Sequence, residues 1–438
     1  MSRMVFQPQI ILSAYPFHCP PIGKFHTRKL RYSAVSVNFA PDFKKTLPMN
    51  RLLFAGLLLA VTCFAGSCGS RSSKPSAADG MQTDSAAMAP ADSLSRVTPT
   101  YAEGYTIDYR ADGVRLLDVH DPQNPEAPGY HFALVPRGTH PADLPRDYTP
   151  IETPVRSVIC MTSLQLSNFI VLDACPLVTG ITSTRHLFDP TMNRQLAEGH
   201  TVKIGIEGNF DSEVVMSVEP DVIFISPFKR GGYDALRDTD IPLVPHLGYK
   251  EMTPLGQAEW VKLVGLFIGR ECEANECFAA IEARYKELCR LAAGVEKRPV
   301  VFSGELRGGN WYAVGGRSFL AQLFRDAGAD YFLKDDPRSG GVTLDFETVY
   351  SRADEADFWR IVNSYEGTFS YDALKATDAR YADFRAFRER AVVYCNMRTT
   401  PFYESMPMQP DVVLKDLIHA FHPDLLPQYE PTYYERLK

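Results

Sequence analysis

The sequence of 438 residues lacks several features that would assign it to a class at once. It has no apolar run as long as the ~20 residues that a membrane-spanning helix needs, which excludes a multi-spanning membrane protein. It has no cluster of Lys and Arg, and its 46 basic and 53 acidic residues give a net charge of −7, which argues against a nucleic-acid-binding protein. Hydrophobic residues make up 45% of the chain, which excludes a wholly disordered protein.

Catalytic and metal-binding signatures are missing as well. We find no Ser–His–Asp order and no HExxH motif, and the Gly-Gly-Arg-Ser sequence at 315–318 lacks the Lys of a phosphate-binding loop. Cys272 and Cys277 form a C-x4-C pair without a second pair, so a zinc site is not indicated, and most cysteines beyond the leader are expected to be buried free thiols. The sequence therefore predicts neither an enzyme, nor a resident cofactor, nor a metal site.

The hydrophobic stretch at residues 52–66 has the properties of a signal peptide. It is too short for a membrane span, Arg51 precedes it, and small residues follow it. The sequence Ala65-Gly66-Ser67-Cys68 resembles a bacterial lipobox, in which the cysteine is acylated and becomes the first residue, although the usual Leu is replaced by Ala. We interpret 49–68 as a lipoprotein signal peptide with Cys68 as the lipidation site; a plain signal peptide or an uncleaved anchor is the alternative.

The segments on either side of this signal show no folding pattern. Residues 1–48 precede a natural start at Met49 and are interpreted as a possible start-site extension. Residues 69–98 are rich in Ser, Ala, Asp and Pro and cannot bury enough apolar surface to fold, so they predict a flexible tether. Signal and tether together predict a protein of the cell envelope, on the periplasmic side and lipid-anchored to a membrane.

Beyond the tether, the pattern changes from β-rich to alternating. Strand-like runs at 105–109, 114–119 and 130–135 predict a β-rich segment over 99–150 that packs on the next lobe. Strands and helices then alternate over 151–255 and again over 294–438, and alternation of this kind predicts mainly parallel sheets covered by helices. The predicted fold class is therefore α/β, with two Rossmann-like lobes and a β-rich N-terminal addition.

Residues 256–293 interrupt the alternation between the N-terminal and C-terminal lobes. The ranges 257–268 and 275–291 both show helical periodicity, and no strand lies between them. Together they could make up to ~50 Å of helix at 1.5 Å per residue. We therefore expect a long backbone helix that links the two lobes and bends near Gly269.

Two similar sequence segments occur, one in each predicted lobe. Residues 211–224 and 345–361 each place a Glu at the start of a short helix that leads into a buried strand. Together with residues 315–330 and the C-terminal residues 411–423, these segments resemble those of the helical-backbone (class III) substrate-binding proteins of ABC transporters. That class includes the ferric-siderophore, heme and vitamin B12-binding proteins. The resemblance covers about residues 150–430. It implies transport of a small-molecule metal chelate, with an ABC permease and its ATPase subunits as partners.

The resemblance also implies roles for two glutamates. In that family a Glu on the outer tip of each lobe docks with Arg pockets of the permease, and the matching residues are Glu213 and Glu347. A Glu in a first helical turn is stabilised by the helix dipole, so it can stay ionised and exposed. Helix capping alone is the competing explanation for each Glu taken singly.

In a two-lobed α/β protein, ligands bind at the carboxyl ends of the strands, between the lobes. The residues that follow the predicted strands are rich in aromatic and cationic side chains. The predicted ligand-binding residues are Thr162, Ser163, Arg185, His186, Phe228, Arg230, Tyr233, His246, Tyr249, Arg307, Trp311, Tyr312, Arg398, Phe402 and Tyr403.

This set favours a flat or anionic metal chelate as the ligand. Aromatic faces suit a macrocycle or catecholate rings, and Arg suits carboxylates or an anionic ferric chelate. His186 and His246 are candidate ligands of heme iron, although loop histidines are more often plain polar surface. We expect a monomeric receptor that delivers an iron complex, siderophore or heme, or a corrinoid to an importer. A metal-ion receptor of the same fold and an exported enzyme such as a chelatase are the alternatives.

Overall fold

The computed structural model describes residues 95–182, 187–206, 209–227, 233–237 and 239–438. The predicted extension, the signal peptide with Cys68 and the tether up to residue 94 lie outside the described residues. Within these ranges, no helix combines the length and the apolar composition that a membrane span requires.

The first described layer is a mixed five-stranded sheet. Its strands, in spatial order, are β1 (Ser95–Val97), β2 (Tyr105–Tyr109), β3 (Arg115–Val119), β4 (Tyr130–Pro136) and β5 (Thr149–Thr153). Neighbours pair antiparallel except β4 and β5, which are parallel. The strands β2, β3 and β4 confirm the predicted β pattern. The additional strand β5 contains Pro150, which is tolerated because β5 lies at the edge of the sheet.

The N-terminal lobe follows. Its elements are β6 (Val158–Cys160), α1 (Ser163–Val171), β7 (Val178–Ile181), α2 (Pro190–Ala197), β8 (Val202–Lys203), β9 (Gly205–Ile206), β10 (Asn209–Phe210), α3 (Ser212–Val218), β11 (Val222–Ile225), α4 (Asp234–Arg237) and β12 (Leu243–Pro245). A parallel sheet has the order β12-β11-β6-β7-β8, and β9 and β10 form a short antiparallel pair. All four residues of β11 are buried, as its continuous apolar run predicts.

The linking segment, for which the sequence predicts a long helix over 256–293 bent near Gly269, consists of two helices, α5 (Pro254–Ile268) and α6 (Glu271–Ala292). Gly269 ends α5 with a φ of 68°, a left-handed conformation that glycine adopts without strain. The two helices then pack on each other. A methyl group at Gly265 would lie 2.6 Å from Cβ of Ala274, and the ammonium of Lys262 lies 4.4 Å from the ring centre of Phe278.

The second of these helices contacts the N-terminal sheet region and the C-terminal lobe. Its 22 residues span about 33 Å at 1.5 Å per residue. Near its start, the ring of Phe278 contacts Tyr101 beside the N-terminal sheet. Further along, the hydroxyl of Tyr285 donates to Asp326 of the C-terminal lobe at 2.7 Å. The helix α6 therefore links the N-terminal sheet region to the C-terminal lobe.

The C-terminal lobe repeats the α/β pattern. Its elements are β13 (Val300–Ser303), β14 (Glu305–Arg307), β15 (Asn310–Val314), α7 (Phe319–Asp326), β16 (Asp330–Tyr331), β17 (Gly341–Leu344), α8 (Phe346–Ala353), β18 (Phe358–Asn363), α9 (Tyr371–Thr377), α10 (Arg385–Arg388), β19 (Val392–Asn396), α11 (Phe402–Ser405), α12 (Pro410–Phe421) and β20 (Glu435–Arg436). The main sheet has the order β16-β13-β18-β19-β20 and is parallel apart from β20, and β14, β15 and β17 form a small antiparallel sheet. The predicted α/β class is confirmed.

Short 3-10 helices lie between these helices and strands. The 3-10 helices are Cys175–Leu177, Gly248–Lys250, Ala379–Asp383, Met406–Met408 and Pro423–Leu425.

Cys272 is disulfide-bonded, whereas the other five cysteines of the described ranges are free thiols. The expectation that most of these cysteines are free thiols is confirmed, and Cys272 is the exception among the described residues.

Two buried glutamates attach the N-terminal sheet to the N-terminal lobe. Glu259 of α5 has no exposed surface, and its carboxylate accepts hydrogen bonds from the backbone N–H groups of residues 100, 101 and 102 at 2.7–3.0 Å. Glu251 accepts from the N–H groups of residues 103 and 104 and from the indole of Trp260. Five consecutive amides are therefore held by two carboxylates of the adjoining lobe.

Burial makes Glu251 sensitive to pH. Desolvation raises its pKa to about 7, so the folded protein binds a proton more tightly than the unfolded chain does. The stabilisation from this proton is present below the ordinary pKa of glutamate and is lost as the pH rises through 7. Only the wild type loses this stabilisation as the pH rises. We therefore expect the difference in free energy of unfolding, Glu251→Gln minus wild type, to increase by about 3 kcal/mol between pH 4 and pH 8.

Urea denaturation at a series of pH values measures this difference. The control is Glu276→Gln, which changes an exposed glutamate of α6 and should follow the wild-type curve. A Glu251→Gln difference that does not change with pH would contradict the assignment.

Candidate functional site: a cleft between the two lobes

The carboxyl ends of parallel strands mark where an open α/β sheet binds its ligand. In the N-terminal lobe the strands end at Cys160 (β6), Ile181 (β7), Ile225 (β11) and Pro245 (β12), and in the C-terminal lobe at Ser303 (β13), Asn363 (β18) and Asn396 (β19). The loops after these residues form the candidate binding surface of each lobe.

A contact made by Glu404 brings these two edges together. This residue lies in α11, after β19, and its side chain is buried. Its carboxylate accepts hydrogen bonds from the backbone N–H of Phe188 at 2.7 Å and of Asp189 at 2.6 Å. Phe188 and Asp189 follow the loop after β7, so the carboxyl edges of the two sheets meet here. Desolvation raises the pKa of Glu404, and the two N–H donors oppose that effect.

The rim of the N-terminal lobe is organised by a capping box. Thr162 caps α1 and accepts a hydrogen bond from the N–H of Gln165, whose side-chain oxygen accepts the N–H of Thr162 at 3.1 Å. The amide nitrogen of Gln165 donates to the hydroxyl of Ser226 at 3.0 Å. These bonds tie the loop after β6 to the loop after β11. Thr162 and Ser163 are half-buried beside them.

The rim of the C-terminal lobe carries amide and charged groups. Asn363 accepts a hydrogen bond from the hydroxyl of Tyr394 at 2.8 Å and donates to the carboxylate of Glu305 at 3.3 Å. Arg398 follows β19, and its guanidinium lies 3.7 Å from the carboxylate of Glu366. The rim therefore presents a cation whose carboxylate neighbour is itself 86% exposed.

Aromatic rings lie on the same rim. The ring of Phe369 lies between those of Tyr365 and Tyr394, with centroid distances of 5.0 and 4.5 Å. Tyr403 is 48% exposed and contacts the edge of Phe402 at 5.4 Å. Of these rings, Tyr365 and Tyr403 are exposed, whereas Phe369, Tyr394 and Phe402 are buried.

A pocket of about 260 Å³ opens at the carboxyl end of β19. It lies where the C-terminal segment crosses the end of this strand, and hydroxyl and amide groups dominate its lining. The lining residues are Tyr394, Asn396, Thr399, Thr400, Pro431, Thr432, Tyr433, Tyr434 and Glu435.

Several predicted ligand-binding residues lie at the surface of the described structure. Arg307 and Tyr312 lie on the β14–β15 hairpin, and Tyr312 is 50% exposed. Arg307 pairs with Glu305 at 2.8 Å. Tyr249 is half-buried, and its hydroxyl donates to the carbonyl of Pro227 at 3.3 Å. Together with Thr162, Ser163, Arg398 and Tyr403, these residues lie in the segments that follow the strands.

Two predicted residues lie in the core of the N-terminal lobe. The ring of His246 packs 4.8 Å from Trp260, and burial lowers the pKa of this histidine to about 4, so it stays neutral at pH 7. The ring of Tyr233 stacks on Phe210, and its hydroxyl donates to the carbonyl of Ser226 at 2.8 Å. Both side chains are therefore part of the packed interior of this lobe and not of its exposed surface.

Two further predicted residues lie in the core of the C-terminal lobe. Trp311 is fully buried, stacks 5.7 Å from Trp359 and donates from its indole to the carbonyl of Ser303 at 2.9 Å. Phe402 is buried, and its ring lies edge-on to Tyr434. The other predicted residues, Arg185, His186, Phe228 and Arg230, lie outside the described residues.

The predicted docking glutamates occupy equivalent places in the two lobes. Glu213 and Glu347 lie in the first turns of α3 and α8, each two residues after an aspartate N-cap, Asp211 or Asp345. Both are exposed, and Glu347 lies 3.8 Å from the guanidinium of Arg380.

Sequence reasoning missed Glu404 and the two glutamates that hold the N-terminal sheet. Each lies in a short turn or a mostly apolar helix, where nothing local indicates that its partners are backbone amides more than a hundred residues away. Among the described residues, no group of three or more His, Cys, Asp or Glu side chains is placed to hold a metal ion.

Comparison with known proteins gives matches to solute-binding proteins. The sequence model of the periplasmic binding protein family matches residues 158–399, more than half of the chain. An uncharacterized lipoprotein of Methanocaldococcus jannaschii is 25% identical over 291 residues, which cover 64% of this chain and 68% of the archaeal protein.

Solved structures give the same fold. A periplasmic heme-binding protein from Pseudomonas aeruginosa matches with a TM-score of 0.52 at 16% identity, over 65% of this chain and 98% of that one. The molybdate-bound periplasmic binding protein of Haemophilus influenzae matches with a TM-score of 0.50 at 16% identity, over 64% of this chain and 90% of that one. At these identities the likeness concerns the fold.

The contact between the lobes through Glu404 can be tested by removing its carboxylate. In the Glu404→Ala variant, the N–H groups of Phe188 and Asp189 lose their acceptor, and we expect the free energy of unfolding to fall by about 2–4 kcal/mol. Hydrogen exchange at these two amides should accelerate. The control is Glu198→Ala near the end of α2, where the side chain is exposed; unchanged exchange at residues 188 and 189 in Glu404→Ala would contradict this role.

Proposed function

Because the chain belongs to the periplasmic binding protein family, we propose that it captures an anionic iron complex, a ferric siderophore or heme, or a corrinoid, and delivers it to the permease of an ABC importer. The observation that carries this proposal is the combination of arginines and exposed tyrosines on the rim of the C-terminal lobe. Arg398 and Tyr403 follow β19, and Arg307 and Tyr312 lie on the hairpin after β13. Cationic and flat apolar groups at one sheet edge suit an anionic chelate.

The electrostatics of Arg398 support this assignment. Its carboxylate neighbour Glu366 lies 3.7 Å away and is largely exposed, and an ion pair of this kind contributes little to stability. An anionic ligand can therefore replace Glu366 as the partner of the guanidinium at small cost. The charge of Arg307 is held closer to Glu305, at 2.8 Å, so we assign the larger share of ligand binding to Arg398.

The remaining predicted residues have different parts in this proposal. Thr162, Ser163 and Tyr249 supply hydroxyl groups from the N-terminal lobe, while the buried Tyr233, His246, Trp311 and Phe402 support the walls. Arg185, His186, Phe228 and Arg230 follow β7 and β11 in the sequence and stay candidates for direct contact. Of these, His186 is the candidate ligand for heme iron, since His246 packs in the core.

Binding assays with a panel of chelates test the ligand class. We expect hemin, a ferric tris-catecholate or cyanocobalamin to bind wild-type protein at micromolar concentration or below, as measured by thermal shift and titration calorimetry. The Arg398→Ala variant should weaken binding of an anionic member about tenfold, because a charge-assisted hydrogen bond is lost.

The matched control is Arg352→Ala, which removes an exposed arginine at the end of α8 and should leave affinity unchanged. Binding of a bare divalent cation or of molybdate in place of the chelates would favour a different class of receptor. Turnover of a chelate would favour the chelatase alternative.

Delivery requires that the protein meet a permease at the membrane. We propose that Glu213 and Glu347 dock with arginines of the permease, one from each lobe, and that acylation of Cys68 holds the protein at the membrane. Support comes from the matching first-turn positions of the two glutamates and from the similarity to a protein named as a lipoprotein. Exposed carboxylates at two separate helix starts can fix orientation as well as position.

The docking proposal predicts a separation of transport from binding. The double variant Glu213→Ala/Glu347→Ala should lose transport of the bound chelate in proteoliposomes that contain the importer, while its affinity for the chelate stays at the wild-type value. Loss of ion pairs to the permease is the physical reason.

The matched control is the double variant Glu276→Ala/Glu430→Ala, which removes the same charge at exposed positions elsewhere and should transport normally. Normal transport by Glu213→Ala/Glu347→Ala would refute the docking role, whereas a large loss of chelate affinity would move these residues into the binding site.

A further inference from the structure

The N-terminal sheet lies before the range that matches the family, and one of its loops reaches the cleft. The connection between β3 and β4, residues 120–129, is named here the cleft strap. On the N-terminal lobe, Asp121 of the strap forms an ion pair with Lys250, and the side-chain nitrogen of Gln123 donates to the carbonyl of Lys250 at 2.9 Å. Lys250 lies five residues after β12, at the carboxyl edge of the sheet.

The same strap also reaches the C-terminal lobe. A methyl group added at Gly340 would lie 3.7 Å from the side-chain oxygen of Gln123, which is van der Waals distance. Gly340 immediately precedes β17, and its carbonyl accepts the N–H of Gly315 at 3.0 Å. The side chain of Gln123 therefore bonds to the N-terminal lobe and lies close to Gly340 of the C-terminal lobe.

Two contacts between the lobes thus lie on opposite sides of the strands that face the cleft. The order of the N-terminal-lobe sheet is β12-β11-β6-β7-β8. The cleft strap lies by β12, and the segment bound by Glu404 follows β7. The ends of β11 and β6 lie between these two contacts.

The cleft strap is ordered although its middle is exposed. The N–H of Asn124 donates to the carbonyl of Asp121, and the N–H of Ala127 donates to the carbonyl of Asn124, both at 3.0 Å, so two turns follow each other. Pro122, Pro125 and Pro128 restrict the backbone further. The sheet behind the strap is held to the lobe by the buried Glu251 and Glu259. The strap is therefore positioned by the N-terminal lobe.

We propose that the cleft strap is a third wall of the ligand cleft, with Gln123 as its contact to the C-terminal lobe. Together with Glu404 it limits the separation of the lobes and slows release of a bound chelate. The effect on release rests on the proposed function; the contact between the lobes does not.

Paired cysteines test the contact. In the Gln123→Cys/Gly340→Cys variant, mild oxidation should join the two positions, and mass spectrometry of peptides identifies the linkage. The matched pair is His140→Cys/Gly340→Cys, in which the first cysteine lies in the β4–β5 connection at the opposite end of the same sheet. This pair should not crosslink.

Release of hemin and of a ferric tris-catecholate, followed by stopped-flow spectroscopy, tests the consequence. The 123–340 crosslink should slow release about tenfold relative to the reduced variant, since closure acts on the dissociation rate. Replacing residues 123–126 by Gly-Ser-Gly-Ser should accelerate release several-fold, while His140→Ala should release as wild type does.

The outcomes separate the two proposals. A folded Gln123→Cys/Gly340→Cys protein that does not crosslink overturns the strap, and so does a crosslink that leaves release of both probes unchanged. If hemin, the ferric tris-catecholate and cyanocobalamin all fail to bind wild-type protein, the proposed ligand class fails, and crosslinking alone then decides whether the strap joins the lobes.

Discussion

The rest of the structure depends on two carboxylates that are buried against a run of backbone amides. Glu259 and Glu251 accept hydrogen bonds from five consecutive N–H groups, residues 100–104. A buried carboxylate is costly unless it is paired and hydrogen-bonded, and Lys262, with Trp260 and these amides, provides that compensation. A chain restricted to the family-matched residues 158–399 would leave both carboxylates without the amides. The N-terminal sheet is thus a part of the fold that its neighbours require.

This attachment has consequences for the geometry of the cleft. Because the N-terminal sheet is held to α5, its β3–β4 connection has a defined position beside β12, close to Gly340 of the C-terminal lobe. The helix α6 contacts both the N-terminal sheet region and the C-terminal lobe, and Glu404 joins the two lobes at the carboxyl edges of their sheets. Three contacts at separate places restrict relative motion much more than one flexible connection does, since packed interfaces do not deform continuously.

Periodicity predicts the elements well and the long-range contacts poorly. The runs 222–225 and 300–303 are continuous and apolar, and both are buried strands. Two adjacent helical patterns predict a long helix bent near Gly269, whereas in the structure Gly269, with its positive φ, ends the first helix and the two helices pack on each other. The position of a residue just after a predicted strand does not tell whether its side chain lies in the core or at the cleft. Trp311 and Tyr312 are neighbours in β15, yet period-2 alternation buries the first and exposes the second. The partners of Glu259 and Glu404 lie more than 150 residues away and leave no local signal.

A receptor whose lobes are held at several places must select its ligand by the side chains on its rims. Where lobes close fully around a ligand, the motion itself can reject a molecule of the wrong size, whereas here shape and charge are presented before binding. Preorganised groups bind at a lower entropic cost, because few side chains remain to be ordered. The capping box of Thr162 and Gln165 and the amide of Asn363 are already hydrogen-bonded in this way. Arg398 is the exception, because its neighbour Glu366 is exposed and only loosely associated. Under the proposed function, the charge best able to respond to an anionic chelate therefore lies where the rest of the rim is already fixed.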